Sequence, residues 1–249
     1  FYFFLEFLKK RYREIFTFNN STINFKSIKD YIYNADVIVI YTLHKFLDFE
    51  MLSKIYEAKK IIYFRPLDME LVTGGCHANI LDEKSKICLK FYTGCNNCPK
   101  LNKLNFFNIS KKLFKKKKIF MNNFRPNILL ENEFTKKIYN NSPITKNANN
   151  EVIYLSVKDN RIKFIKKNKA RKVFNLKSSD KIILFGTFNL DAPHKGGRMI
   201  EEIIKIFISY SVKKKNKLFN LNNIKLITFG RKQNFQFKVP EIKWLHLGE

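Results

Sequence analysis

The sequence predicts an α/β fold made of two parallel-sheet units. Residues 35–42 (ADVIVIYT) and 60–64 (KIIYF) are short runs rich in β-branched residues, with a helical stretch between them. Residues 181–186 (KIILFG) and 224–230 (IKLITFG) repeat that pattern around a longer helical stretch. In that stretch, residues 197–210, Ile200, Ile203, Ile204, Phe207 and Ile208 recur at helical spacing on one face. Strand, helix, strand is the order of a βαβ crossover, which brings two strands side by side in parallel.

In chain order, residues 1–16 (FYFFLEFLKKRYREIF) open on an apolar run that charge soon interrupts. The run is shorter than the roughly 20 residues a membrane-spanning helix needs. An amphipathic helix burying Phe1, Phe4, Leu5 and Leu8 is expected instead. The run at 35–42 reads as a strand buried on both faces. Residues 49–58 follow as a short helix with Leu52, Ile55 and Tyr56 on its apolar side. The strand at 60–64 ends at Arg65-Pro66, where proline removes a backbone donor.

The dense lysine run at 111–118 reads as a solvated face. Residues 127–130 form a further strand, 132–139 a helix capped by Asn132, and 140–150 a loop. A short strand at 151–155 and a basic connection over 158–175, with a helix at Ala170, Val173 and Phe174, lead to a domain boundary near residue 160. The second domain opens with the strand at 181–186, a polar loop over 187–196 and the helix beyond it. Residues 242–247 supply a last strand.

With 249 residues, 45% of them hydrophobic and 26 of them Phe, the chain has the means to build a globular core. Its 48 Lys and Arg against 21 acids give a net charge of +27. Such an excess attracts nucleic acid, anionic lipid or phosphorylated small molecules. Abundant Lys, Asn, Ile, Phe and Tyr together are also what A/T-rich coding DNA produces.

All four cysteines, Cys76, Cys88, Cys95 and Cys98, lie within residues 73–100, with His77 among them. A four-coordinate zinc site needs four such ligands, and Cys95-x-x-Cys98 has a common chelating spacing. A reduced buried cluster and a redox pair are the other readings of the same residues. The segment directly follows a predicted parallel strand, the end of the sheet where ligands bind.

The loop at 186–197 (GTFNLDAPHKGG) joins a strand to a helix. Gly186, Lys195, Gly196 and Gly197 are its phosphate-binding candidates, through helix N-terminal amides and one lysine charge. It matches neither GxxxxGK[ST] nor GxGxxG. His44 after the first strand, Asp68 after the second and Asp191 in this loop are further candidates by position.

The stretches LDMELVTGGCH (67–77), Cys88 and GCNNCPKL (94–101) resemble the hallmark segment of a subgroup of family 4 glycosyltransferases that build cell-surface, colanic-acid-type polysaccharides. The strand running to His44, the stretch at 151–164, and LFG (184–186) with Lys195-Gly196 resemble the same family. The resemblance implies the GT-B architecture, two Rossmann-like domains facing each other across a cleft. It implies transfer of a sugar, with retention of configuration, from a nucleotide-diphosphate donor to a saccharide or lipid-linked acceptor, without a required metal. The first domain would orient the acceptor, with His44 and Asp68 as catalytic residues. The second would hold the donor through Gly186, Lys195, Gly196 and Gly197.

Leu67 stands where the family has a histidine, and Thr187 and Phe188 follow Gly186 where an arginine is common. The family's spaced glutamate pair has no counterpart, so the second domain is expected to be truncated and the chain a fragment of an enzyme. The expected setting is cytoplasmic, with peripheral contact to the inner face of an anionic membrane. Any zinc at the cysteines would be structural. The reading of a different class is a cysteine-knuckle protein whose basic face binds nucleic acid or anionic lipid, nucleic acid being the less expected partner.

Overall fold

The computed structural model describes residues 16–81, 86–101, 107–156, 163–192, 195–213 and 221–249. The helix expected on Phe1, Phe4, Leu5 and Leu8 and the boundary expected at residue 160 lie outside them. The chain divides into two compact units, the first reaching to residue 156 and the second running from there to residue 249. Each has a parallel sheet, in a Rossmann-like α/β arrangement.

In the first unit a short helix α1 (Lys29–Asn34) leads into β1 (Val37–Ile40). Helix α2 (Phe49–Glu57) returns the chain to β2 (Ile61–Phe64), which pairs parallel with β1, Val37 opposite Ile61. Asp48 caps α2 by accepting from the amide of Met51 at 2.9 Å. After a long excursion, α3 (Ile109–Phe124) precedes β3 (Asn127–Leu130), and α4 (Glu133–Asn141) precedes β4 (Asn149–Val152). The sheet order is β1-β2-β3-β4, all parallel.

One face of this sheet packs into the core: Ile38, Ile40, Ile62, Phe64, Ile128 and Leu130 are buried with Leu52 and Ile55 of α2 and Phe114, Phe120 and Met121 of α3. The other face of β1 is open, with Val37 48% and Val39 44% exposed. The expectation of a strand buried on both faces is therefore corrected: its unbroken apolar run conceals an alternating burial.

The lysine run expected to be a solvated face lies within α3. Lys111, Lys112, Lys115, Lys116 and Lys118 are exposed, but Lys117 shares the inward face with Leu113, Phe114, Phe120 and Met121. The expected loop over 140–150 is shortened at both ends, because α4 reaches Asn141 and β4 begins at Asn149.

The second unit contains α5 (Lys167–Val173), β5 (Lys181–Asn189), α6 (Gly197–Lys213), β6 (Ile224–Arg231) and β7 (Lys243–His246). Its sheet order is β5-β6-β7, again parallel. Ile204 of α6 is buried against Ile224, Leu226, Val239 and Ile242, with Ile200, Phe207 and Ile208 beside it. Ile203, expected on that face, is instead 55% exposed. Among the described residues no helix is long and apolar enough to cross a membrane.

Candidate functional site

The ends of β1 and β2 determine the site. The backbone beyond β2 stays in register for one more residue, Arg65 donating to the carbonyl of Ile40 at 2.8 Å. Pro66 then ends the ladder, having no N–H to give. Asp68 turns the chain: its Oδ1 accepts from the amide of Glu70 at 2.7 Å, and a 3-10 turn follows over Glu70–Val72. The phenol of Tyr139, fully buried on α4, donates to the carbonyl of Asp68 at 3.0 Å and ties the turn to the core.

Glu70 is 3% exposed, so its carboxylate needs partners. Oε1 accepts from the Thr17 hydroxyl at 2.6 Å, and Oε2 accepts from the Thr42 hydroxyl at 2.9 Å and the Leu43 amide at 3.0 Å. The turn after β2 is thereby fastened to the exit of β1. Lys117 rises from α3 beneath it and donates from Nζ to the carbonyls of Glu70 and Thr73. Burial pushes the Lys117 ammonium below its ordinary pKa, and the nearby Glu70 carboxylate opposes that shift.

The Thr-Gly-Gly at residues 73–75 has a packing reason. A Cβ on Gly74 would meet the carbonyl oxygen of Ser110 at 2.3 Å, and Gly75 has a φ of +133° with the Phe16 ring directly over it. The Thr17 amide donates to Gly75 at 2.8 Å, so residues 16–17 lie along the segment. Through these contacts Thr17, His44, Asp68 and His77 meet.

His77 Nδ1 lies 2.7 Å from Asp68 Oδ2, and its Nε2 lies 2.8 Å from Thr17 Oγ1. His44 Nδ1 approaches the same hydroxyl at 3.2 Å, and the two imidazoles meet edge to face at 5.3 Å. The hydroxyl has one proton, and its shortest contact, to Glu70, assigns that proton there. His77 Nε2 then donates to the Thr17 oxygen, and Nδ1 faces the Asp68 carboxylate.

Aspartate, histidine and a hydroxyl in series resemble a hydrolase triad, but Glu70 competes for the hydroxyl proton and Thr17 is buried. The constellation instead presents a polarised imidazole pair at the carboxyl ends of two parallel strands. Asp68, Glu70 and His77 also offer ligand atoms within 4.8 Å of one another. They would hold a metal only by giving up hydrogen bonds they already make.

His44 and Asp68, expected at the site, are thus drawn together. His77, which the sequence offered only as a ligand beside the cysteines, contacts both, and Thr17, Glu70 and Lys117 carried no local signal. The four cysteines lie alongside. All are free and all line one cavity of about 20 Å³, with Phe91 and Pro99 in its wall. The Cys76 and Cys98 sulfurs are 3.9 Å apart. Burial raises the Cys95 thiol to about 11.

In the second unit, β5 runs on to Asn189, so the expected loop over 187–196 is shorter and Gly186 lies within the strand. A Cβ there would enter the Phe229 ring. Gly196 has a φ of +79°, and Gly197 opens α6. Both oxygens of Asp191 are engaged, accepting from the amides of Gln233 and Asn234 at 2.6 and 3.0 Å. Beside this clasp, past the carboxyl ends of β5 and β6, is a cavity of about 430 Å³ lined by Arg198, Glu201, Asn234, Gln236 and Lys238.

No protein-family model, curated protein or solved structure matches the chain.

Proposed function

We propose that the chain is part of a retaining glycosyltransferase of GT-B architecture, taking a sugar from a nucleotide-diphosphate donor to a saccharide or lipid-linked hydroxyl. The observation that carries this reading is the gathering of His44, at the exit of β1, with Asp68 and His77 of the segment beyond β2 that resembles the family's hallmark. Open parallel sheets bind their ligands at that end.

In this reading the first unit orients the acceptor hydroxyl. His44 supplies the hydrogen bond to it, and Asp68 and Thr17 fix the His77 ring, which packs edge to face against His44. Leu67 cannot take the part of the histidine it replaces, because it has no polar atom. The second unit holds the donor. The cavity beyond β5 and β6 has the size of a small-molecule site, and Arg198 and Lys238 in its wall complement a diphosphate.

As the bond from the sugar C1 to the diphosphate oxygen breaks, its electron pair leaves on the phosphate. Lys195 and the amino-terminal turn of α6 at Gly196 and Gly197 stabilise that charge. The acceptor oxygen bonds to C1, and its proton goes to the departing phosphate.

Calorimetric titration of the full chain with UDP, GDP and their sugar conjugates tests the reading. Binding of one nucleoside diphosphate, lost in Lys195→Ala, is expected. His44→Ala should keep that binding yet lose release of diphosphate from the sugar conjugate. Folded protein that binds none of these nucleotides would overturn the proposal.

A further inference from the structure

The sulfur cluster has a geometry of its own, independent of any transferase reading. Four sulfurs around a zinc ion at about 2.3 Å stand about 3.8 Å apart along each tetrahedral edge. Cys76 and Cys98 already lie at such an edge, 3.9 Å apart. Cys88 and Cys95 line the same cavity, whose volume of about 20 Å³ suits one atom-sized guest.

The backbone around them is arranged for thiolates. The Gly74 amide donates to the Cys95 sulfur at 3.1 Å, and the amides of Lys100 and Leu101 serve the Cys98 sulfur. Left-handed backbone at Gly94, Cys95 and Asn97 folds the Cys-x-x-Cys pair into a tight knuckle. Among the described residues no three of the sulfurs lie within 4.8 Å of one another. Closure therefore requires the arms carrying Cys88 and Cys95 to move inward on the preformed Cys76–Cys98 edge.

We propose that Cys76, Cys88, Cys95 and Cys98 form a tetrathiolate site for one zinc-class divalent cation. The ion ties residues 73–77, at the exit of β2, to the 88–98 loop. Because Cys76 immediately precedes His77, the same bond holds that imidazole against Asp68. The ion is structural: with four protein ligands it has no open position for a substrate.

The test uses the full chain, purified with reductant and without chelator, and cobalt(II) as the probe. The expected result is one equivalent of zinc as isolated. After zinc removal, one equivalent of cobalt should produce the sulfur-to-cobalt charge-transfer band and the visible bands of a tetrahedral site. Cys98→Ser should weaken cobalt binding by more than about 100-fold, since outer-shell changes alone cost about 10–100-fold. Cys88→Ser, at another half-buried position, keeps the test valid if Cys98→Ser fails to fold. Folded protein with four thiols titratable in the presence of zinc and no cobalt bands would overturn the site. So would a Cys76–Cys98 disulfide in the protein as isolated.

Discussion

His77 bridges two parts of the chain through one ring, its Nδ1 2.7 Å from Asp68 Oδ2 and its Nε2 2.8 Å from Thr17 Oγ1. The Thr17 hydroxyl gives its proton to Glu70, so His77 Nε2 is the donor to its oxygen, and Nδ1 faces the Asp68 carboxylate. Asp68→Asn removes that carboxylate acceptor and can offer the ring an amide donor instead. Long-range proton–nitrogen spectra of the imidazoles should show the His77 Nδ1 signal shifting in the variant while the His44 signals move less. If the chain is a transferase, diphosphate release should fall about 100-fold, the range of a lost acid–base or positioning group.

Thr17→Val keeps the shape of the side chain and deletes the hydroxyl. Glu70 Oε1 then loses its 2.6 Å donor inside the protein. Leaving such an acceptor unpaired costs about 1–3 kcal/mol, so the urea midpoint of the first unit should drop accordingly. Thr17→Ser, which restores the hydroxyl, should recover most of that loss.

Lys117 is 2% exposed and serves two carbonyls beneath the Glu70 turn. Lys117→Met keeps the apolar stem but strands both acceptors and leaves the Glu70 carboxylate without its nearby cation. A loss of about 3 kcal/mol is expected, as for other buried pairs broken from one side. Burial also lowers the folded pKa below the ordinary 10.5. Between the two values the unfolded chain binds the extra proton, so parental stability rises with pH over that window. Denaturation followed as pH is raised toward 10.5 should show the rise in the parent and a flatter profile in the variant.

Why the fold was largely legible and the site only partly so follows from the range of the signals. Strands such as Ile61–Phe64 and Ile224–Arg231 announce themselves by local composition and were expected close to their observed bounds. Helix α3 was missed because Lys117 occupies an inward position and breaks the apolar period of Leu113, Phe114, Phe120 and Met121. His44 and Asp68 were legible because each follows a recognisable strand. Thr17 and Glu70 were not, since each becomes polar machinery only through a partner 53 residues away in sequence.

Gly197→Ala and Gly186→Ala separate two reasons for a glycine. At Gly197 an added Cβ would meet the backbone carbonyl oxygen of Leu190 at 2.3 Å, which only a shift of the main chain relieves. At Gly186 the obstacle is the ring of Phe229, which is 46% exposed and has room to swing away. The first substitution should destabilise the second unit by about 1–3 kcal/mol, the usual cost of overpacking, and the second by less than about 1 kcal/mol. Urea denaturation followed by the fluorescence of Trp244 reports on that unit, since Trp244 packs against its core.

Asp180 couples the end of α5 to β6 and makes the second unit sensitive to acid. Its carboxylate accepts from Lys225 Nζ and, at 2.7 Å, from the Lys177 amide, while Arg171 donates to its carbonyl at 3.0 Å. The hydrogen bond from Lys225 is the main cause that holds the carboxyl below its ordinary value of 3.8, with the Lys177 amide and the Arg171 charge acting in the same direction. A depressed folded pKa means that the unfolded chain takes up the proton first as pH falls. The contribution is therefore fully present above about pH 5 and is lost as pH drops through 3.8 toward the lower folded value. Asp180→Asn should lower stability at pH 7 and flatten the acid limb of the Trp244-detected urea midpoint between pH 5 and 3. An acid limb identical in parent and variant would show that this carboxylate is not the group that titrates.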